Sequence, residues 1–280
     1  MGKDKFDLTG KVALVTGGGA NGGLGHAMAV GLAGAGADVV VGDVDADGAQ
    51  RTSQEIRNLG RRSIAVTCDN ARREDITALF AELDRAFGRI DIMISNVGAG
   101  ARYRPEDLPY TDWQRVLDIS LSSSFLCNVE AGKRMIAQGT GGSIINISSI
   151  ASVHALGRGN LPHSVAKSGI NQMTRELAVE WGPYGIRVNA ILPATVRTPS
   201  WDTIAQTMDW DFDAWVRQLL TGLPLGRLGE PDDLVGPAIF LASDASAFVT
   251  GHLLAVDGGN LALDAGGSIA WPPLRDRPFV

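Results

Sequence analysis

Short apolar runs alternate with longer amphipathic segments along the chain. The runs are KVALVTG, DVVVGD, SIAVTCD, IDIMISN, GSIINISS, IRVNAILP and HLLAVDGG. Continuous runs of β-branched and aliphatic residues are typical of strands that are buried on both faces, as in a parallel sheet. The pattern therefore predicts about seven such strands.

The segments between these runs carry apolar residues at helical spacing. One face of the first segment holds Leu24, Ala27, Met28 and Leu32, and the same spacing recurs over residues 76–87. Regular alternation of strand and helix predicts an α/β fold, a Rossmann-type doubly wound parallel sheet flanked by helices. Ligands of such sheets bind outside the carboxyl ends of the strands. Candidate functional residues are therefore those that follow each run.

Composition narrows the possible partners. The 280 residues contain no repeat or linker, which favours one domain over 1–280, and the net charge of −6 argues against nucleic acid or an anionic membrane as a partner. We expect a cytoplasmic protein, because no apolar run has the length of a membrane span and the N-terminus lacks a signal peptide. Cys68 and Cys127 lack metal-ligand spacing, so we expect free thiols and no metal.

A glycine-rich segment, TGGGANGGLG, ends the first predicted strand and opens the first predicted helix. Glycines allow a close approach of the backbone, and a helix N-terminus offers unpaired N–H groups to a phosphate. This context favours a dinucleotide site over a purely structural turn. Asp43 ends the second strand, where a carboxylate binds the adenosine ribose and repels a 2′-phosphate, so NAD(H) is favoured over NADP(H). The alternative is an ordinary aspartate in a turn.

The order of motifs resembles the short-chain dehydrogenase/reductase family over about residues 6–260. The resemblance is carried by LTGKVALVTG, SNVG, GSIINISS, the lysine of HSVAKSG, GIRVNAILP, PLGRLGEPDDL and VTGHLLAVDGG. It implies a nicotinamide cofactor and a homotetramer or homodimer, formed through two long central helices at about 111–138 and 164–182. Together with the loop, it places the cofactor against Gly17, Asn21, Gly23, Leu24, Gly25, Asp43, Asp69, Asn70, Asn96, Gly98, Lys167, Pro193, Val196 and Thr198.

The chain departs from the family pattern where the chemistry is decided. Two additional residues separate Gly17 from the Gly23–Gly25 group, which leaves open which glycine faces the pyrophosphate. Ser120 stands where the family has an active-site asparagine, and His163 stands at the tyrosine position. Ser149 matches the catalytic serine, and Lys167 is kept.

His163 has the chemistry of a replacement acid or base. Hydride transfer between an alcohol and a ketone needs a group that takes up or releases a proton, and imidazole titrates near working pH. Lys167, one helical turn away, favours the neutral ring. We expect Ser149 to hold the substrate oxygen and Ser120 to hold a water. The alternative is a histidine with a structural role.

The substrate side is expected between about residues 197 and 225, where the family has a lid. Aromatic side chains there would stack on a bulky apolar or cyclic substrate, or would pack under the lid or at a subunit contact. The candidate substrate residues are His154, Trp201, Met208, Trp210 and Trp215. A C-terminal extension, 261–280, follows the family ending.

Three functions fit this pattern. The first is an NAD(H)-dependent oxidoreductase that interconverts a secondary alcohol and a ketone through His163, Lys167 and Ser149. The second is an enoyl-thioester-type double-bond reductase, or a related non-redox conversion on the same scaffold. The third is a catalytically silent NAD-binding sensor.

Overall fold

Helices cover both faces of the central sheet and keep its backbone N–H and C=O groups away from water. These groups must therefore form hydrogen bonds with neighbouring strands, which favours extended strands. The computed structural model describes residues 4–199, 201 and 211–263. All residues of the first strand are buried. The strands are β1 (Val12–Thr16), β2 (Asp38–Asp43), β3 (Ser63–Thr67), β4 (Ile92–Ser95), β5 (Gly142–Ile147), β6 (Ile186–Pro193) and β7 (Leu253–Val256).

All neighbouring strands are parallel, in the order β3-β2-β1-β4-β5-β6-β7. This confirms the predicted seven-stranded, doubly wound sheet. The strand order reverses between β1 and β4, which creates a crevice at their carboxyl ends. The glycine-rich loop after β1 and the loop after β4 border this crevice.

Helices lie on both faces of the sheet. They are α1 (Leu24–Gly34), α2 (Ala46–Asn58), α3 (Arg73–Phe87), α4 (Tyr110–Leu117), α5 (Ser123–Gln138), α6 (Leu161–Trp181), α7 (Phe212–Leu220) and α8 (Val235–Ala242). The first predicted central helix is interrupted: a π-helical turn, Asp118–Ser122, joins α4 to α5. No helix in the described part of the chain is long and apolar enough to cross a membrane.

Two apolar clusters hold these layers together. One packs residues of α1, α2 and α8 against the sheet, with Met28 and Leu32 at its centre. The other packs residues of α3 and α5 on the opposite face, with Leu79, Phe80 and Leu83 fully buried. The helical spacing seen in the sequence therefore marks the faces of α1 and α3 that turn toward the sheet.

Candidate active site

A cleft of about 530 Å³ opens at the carboxyl ends of β1 to β4. We call it the first cleft. Its walls come from the glycine-rich loop and from the loops after β2, β3 and β4. The predicted cofactor residues that line it are Gly17, Gly23, Leu24, Asp43, Asp69, Asn70, Asn96, Gly98 and Thr198.

Close backbone packing shapes the floor of the first cleft. Gly17 has φ +68°, a conformation that favours glycine, and its carbonyl oxygen accepts a hydrogen bond from Asn96 Nδ2 at 3.1 Å. A Cβ built on Gly25 would overlap the carbonyl of Gly17. Gly25 therefore does not line the cleft but lets α1 begin directly beneath the loop.

The additional loop residues lie against the start of α2. Gly19 N donates to Asp43 Oδ2 at 2.7 Å, and Thr52 Oγ1 donates to the Gly18 carbonyl at 2.8 Å. The chain then returns to Gly23, the residue that caps α1 and lines the cleft. Asn21 is exposed in the loop and is not among the residues that line the cleft. Gly17 and Gly23 are thus the glycines of this loop that face the cleft.

Acidic and amide side chains form the far wall of the first cleft. Besides Gly19, the Asp43 carboxylate accepts a hydrogen bond from Asp45 N at 2.9 Å. Asn70 is buried, with its Nδ2 3.7 Å from Cys127 Sγ. Burial raises the pKa of the Cys68 thiol to about 12, so this cleft-lining cysteine is neutral at ordinary pH.

A second cleft, of about 580 Å³, continues from the first and shares Leu24, Asn96, Gly98, Ala99 and Thr198 with it. It brings Ser149, His163 and Lys167 together, although they lie on a loop and on α6. Pro193 and Val196, after β6, complete this wall. Asn21 and Gly25 are therefore the predicted cofactor residues that line neither cleft.

Lys167 is buried inside α6. Its Nζ donates to the Ile147 carbonyl at 2.6 Å, and Gly98 lies beside it, since a Cβ there would be 3.1 Å from Nζ. Burial lowers the pKa of Lys167 to about 8. The pKa of Lys167 thus lies just above neutral pH, so a small change in its surroundings changes its charge.

His163 has a defined tautomer. Its Nδ1 lies 3.1 Å from the carbonyl oxygen of Ala99. A carbonyl only accepts hydrogen bonds, so Nδ1 carries the hydrogen, and Nε2 of the neutral ring holds the lone pair. Burial, followed by the charge of Lys167, lowers the pKa of His163, while the bond to Ala99 acts in the opposite direction.

Ser149 and Ser120 occupy different environments. Ser149 lines the second cleft, and its Oγ accepts a hydrogen bond from Ala151 N at 3.1 Å. Ser120 is fully buried in the π-helical turn, where its Oγ accepts a hydrogen bond from Ala99 N at 2.9 Å. Ser120 therefore anchors the residue whose carbonyl orients His163, and this arrangement does not favour the expected role of holding a water in the cleft.

The aromatic side chains of the expected lid pack on one another. Trp201 is buried and stacks on Trp215 with ring centroids 5.2 Å apart, and Phe212 meets Trp201 edge-on at 5.8 Å. The Arg102 guanidinium lies 5.5 Å from the centre of the Trp215 ring. His154 lines a neighbouring pocket of about 740 Å³ rather than the second cleft. Met208 and Trp210 lie outside the described residues, as do residues 264–280 of the extension.

Comparison with known proteins decides the family. Residues 18–260 match a family model described as enoyl-(acyl carrier protein) reductase. The chain is 40% identical over 258 residues to 2-dehydro-3-deoxy-D-gluconate 5-dehydrogenase of Escherichia coli strain K12, covering 92% of this chain and 98% of the relative. The chain belongs to the short-chain dehydrogenase/reductase family.

Two further similarities extend the comparison. Cis-4-hydroxycyclohexanecarboxylate dehydrogenase of Sinomonas cyclohexanicum is 38% identical over 255 residues, covering 90% of this chain and 97% of the relative. A crystal structure from Beutenbergia cavernae, assigned as an NAD(P)-dependent gluconate 5-dehydrogenase with bound NADP, is 36% identical. It covers 92% of this chain and all of that one with a TM-score of 0.85. This chain is accordingly an NAD(P)-dependent oxidoreductase of the family, of the kind that acts on CH–OH groups.

Sequence reasoning missed two residues of this short-chain dehydrogenase/reductase site. Ala99 links Ser120 to His163 through its backbone alone, so its side chain carries no signal. Arg102 lines the second cleft, and the only available signal was its place six residues after Asn96, beyond the SNVG motif.

Proposed function

We propose that the chain is an NAD(H)-dependent oxidoreductase that interconverts a secondary alcohol and a ketone on a cyclic substrate, with His163 as the acid/base. The observation that carries the proposal is the tautomer of His163. With Nδ1 donating to Ala99, Nε2 is the atom left to exchange a proton, and no described residue hydrogen-bonds to it. His163 shares a cleft with Ser149 and Lys167.

The first cleft fits a nicotinamide dinucleotide. Its floor is a glycine cradle in which a Cβ on Gly17 would lie 2.8 Å from Asn96 Nδ2, and the N-terminus of α1 opens onto it at Gly23. Backbone N–H groups there suit a pyrophosphate. When bound, the cofactor accepts or supplies the hydride.

The residues of the second cleft then have separable tasks. In alcohol oxidation Nε2 of neutral His163 takes the hydroxyl proton, and in ketone reduction the protonated ring returns it. Ser149 Oγ accepts from Ala151 N and keeps its own hydrogen to donate to the substrate oxygen. Lys167 lowers the pKa of His163 and thereby keeps the ring neutral.

Preference for NAD(H) over NADP(H) is also part of the proposal. Asp43 lines the cleft with a carboxylate whose two oxygens accept hydrogen bonds from Gly19 and Asp45, which fixes its position. A fixed negative charge disfavours a 2′-phosphate. The Beutenbergia cavernae relative has bound NADP, so the proposed preference rests on Asp43 of this chain and not on the relative.

A cyclic secondary alcohol is the substrate class we favour. The relative from Sinomonas cyclohexanicum is named as a dehydrogenase of a ring alcohol, and the one from Escherichia coli as a dehydrogenase of a sugar acid. In this chain the second cleft, at about 580 Å³, is large enough to hold a ring-bearing substrate beside His163.

Reduction of a carbon–carbon double bond is the second candidate, favoured by the match to the enoyl-(acyl carrier protein) reductase family model. That route would use a tyrosine elsewhere in the site. The chain has three tyrosines, at 103, 110 and 184, all within the described residues, and none lines either cleft. Tyr103 instead donates to Asp112 Oδ2 at 2.6 Å. We therefore rank this function below alcohol oxidation.

A homotetramer or homodimer completes the proposal. Large apolar side chains are exposed on the two central helices, including Phe125 on α5 and Val179 on α6, and Val179 is 76% exposed. Such side chains suit a subunit contact. Light scattering after size exclusion should give two or four times the mass of 29.5 kDa, and a monomer would contradict this part.

The test of the function is NADH formation from cis-4-hydroxycyclohexanecarboxylate and NAD⁺. His163→Gln should lower turnover by about 100-fold or more, because it removes a general base. His252→Gln is the matched control, since that histidine is exposed just before β7 and lines neither cleft. Equal turnover in His163→Gln and wild type would refute the mechanism, and reduction of an enoyl thioester would then support the second candidate.

A further inference from the structure

Two arginines lie on neighbouring loops, Arg102 at the second cleft and Arg158 at the adjoining pocket. Tyr103 N donates to the Gly159 carbonyl at 3.0 Å, which joins the loop after β4 to the loop before α6. Gly159 has φ +67°, and a Cβ there would lie 2.8 Å from the Tyr103 carbonyl, so the two backbones pack without a side chain between them. Arg102 and Arg158 are the residues immediately before the two bonded positions.

Within the described residues, neither arginine forms an ion pair with an aspartate or glutamate. The nearby acid Asp112 is engaged with the Tyr103 hydroxyl at 2.6 Å and with Arg115. Loss of hydration, followed by the charge of Arg102, lowers the pKa of Arg158. In a protein with a net charge of −6, two neighbouring guanidinium groups without an acid are an arrangement that a bound anion would stabilise.

The two side chains face the cavities where substrate would lie. Arg102 lines the second cleft with Ser149, His163 and Lys167. Arg158 lines the adjoining pocket of about 740 Å³, and Asn160 belongs to both cavities. The ring of Trp215 lies against the Arg102 guanidinium and restricts where it points.

The rest of the adjoining pocket is mainly apolar. Its wall includes Ala151, Val153, Leu156, Leu161 and Val165. A hydrocarbon body with one terminal anionic group suits such a wall better than a polyphosphate does. Arginine also presents a planar fork that matches the two oxygens of a carboxylate.

We propose that Arg102 and Arg158 form a subsite for a carboxylate of the substrate, so that the enzyme acts on cyclic hydroxy acids and their keto acids. This rests on the proposed function and deepens it, because the carboxylate would anchor the ring while its hydroxyl reaches His163 Nε2. Trp215 is then a positioning residue for Arg102.

The test compares two isosteric probes, cyclohexanecarboxylate and its neutral carboxamide, by calorimetric titration near pH 7 with NADH present. The wild type should bind the acid about 10- to 100-fold more tightly than the amide, since charge-assisted hydrogen bonds are the strong ones. Arg102→Gln and Arg158→Gln should each reduce that ratio by about tenfold and leave amide binding unchanged. Arg104→Gln is the matched control, because Arg104 is exposed and lines neither cavity.

Two results would overturn the subsite. One is equal affinity of the wild type for the acid and the amide. The other is an equal loss of affinity for both probes in the arginine variants. Because the measurement needs no turnover, it remains decisive if His163→Gln leaves the rate unchanged. A retained acid preference with unchanged turnover in His163→Gln would keep the subsite and reject the mechanism.

Discussion

On the cofactor side of the cleft the walls are mostly backbone. Gly17 and Gly23 set its floor, Gly25 packs beneath the Gly17 carbonyl, and the side chains present, such as Asn96, are themselves hydrogen-bonded to that backbone. On the opposite side the walls are the side chains of Ser149, His163, Lys167 and Arg102. The first region is specified by the absence of side chains and the second by their identity, so substitutions should affect the two in different ways.

On the cofactor side, the largest effect is expected from adding one methyl group. Gly25→Ala would drive its Cβ into the Gly17 carbonyl and displace the loop, so we expect NADH affinity to fall by about 10- to 100-fold. Fluorescence titration with NADH measures this. Gly34→Ala, at the end of the same helix with no atom within 4 Å of its Cβ, should bind NADH like the wild type. If Gly25→Ala binds NADH within threefold of the wild-type affinity, close backbone packing does not define the cofactor side as we describe.

A charge change on the same side should alter selectivity rather than overall binding. Asp43→Asn keeps an oxygen to accept from Gly19 N, loses the acceptor for Asp45 N and removes the negative charge, so the NAD⁺ over NADP⁺ preference in kcat/KM should fall by about tenfold. Asp47→Asn removes the same charge from an exposed position in the first turn of α2 and should change neither value. A preference unchanged in Asp43→Asn would assign cofactor choice to other residues.

The smallest effect is expected from a residue that acts through another. Ser120→Ala leaves Ala99 N without its acceptor and loosens the carbonyl that orients His163, so kcat should fall by about three- to tenfold. Because the bond to Ala99 raises the pKa of His163, its weakening should also move the acid limb of the pH profile to lower pH. Ser122→Ala, exposed on the same π-helical turn, is the control. An unmoved acid limb would reduce Ser120 to a structural role.

The strands were predictable from the sequence because burial on both faces demands continuous apolar runs, as in β1. The path of the glycine-rich loop was not, since it depends on contacts from Gly18 to Thr52 and from Gly19 to Asp43, pairs distant in sequence. The surroundings of Ser120 were not predictable for a similar reason: a one-dimensional pattern does not show the π-helical turn that buries its hydroxyl. The sequence did not distinguish whether Trp201 and Trp215 stack on substrate or pack together. Their ring centroids lie 5.2 Å apart, which supports packing.

The central claim, that His163 exchanges the proton through Nε2, is tested most directly by the pH dependence of kcat/KM for alcohol oxidation. Burial and Lys167 lower the pKa of His163 from its usual 6.5, so activity should rise with pH through a value below 6.5 as the ring loses its proton.

In His163→Gln the acid limb should disappear together with most of the rate. A wild-type profile with no acid limb below pH 6.5, or an acid limb that persists unchanged in His163→Gln, would contradict the assignment.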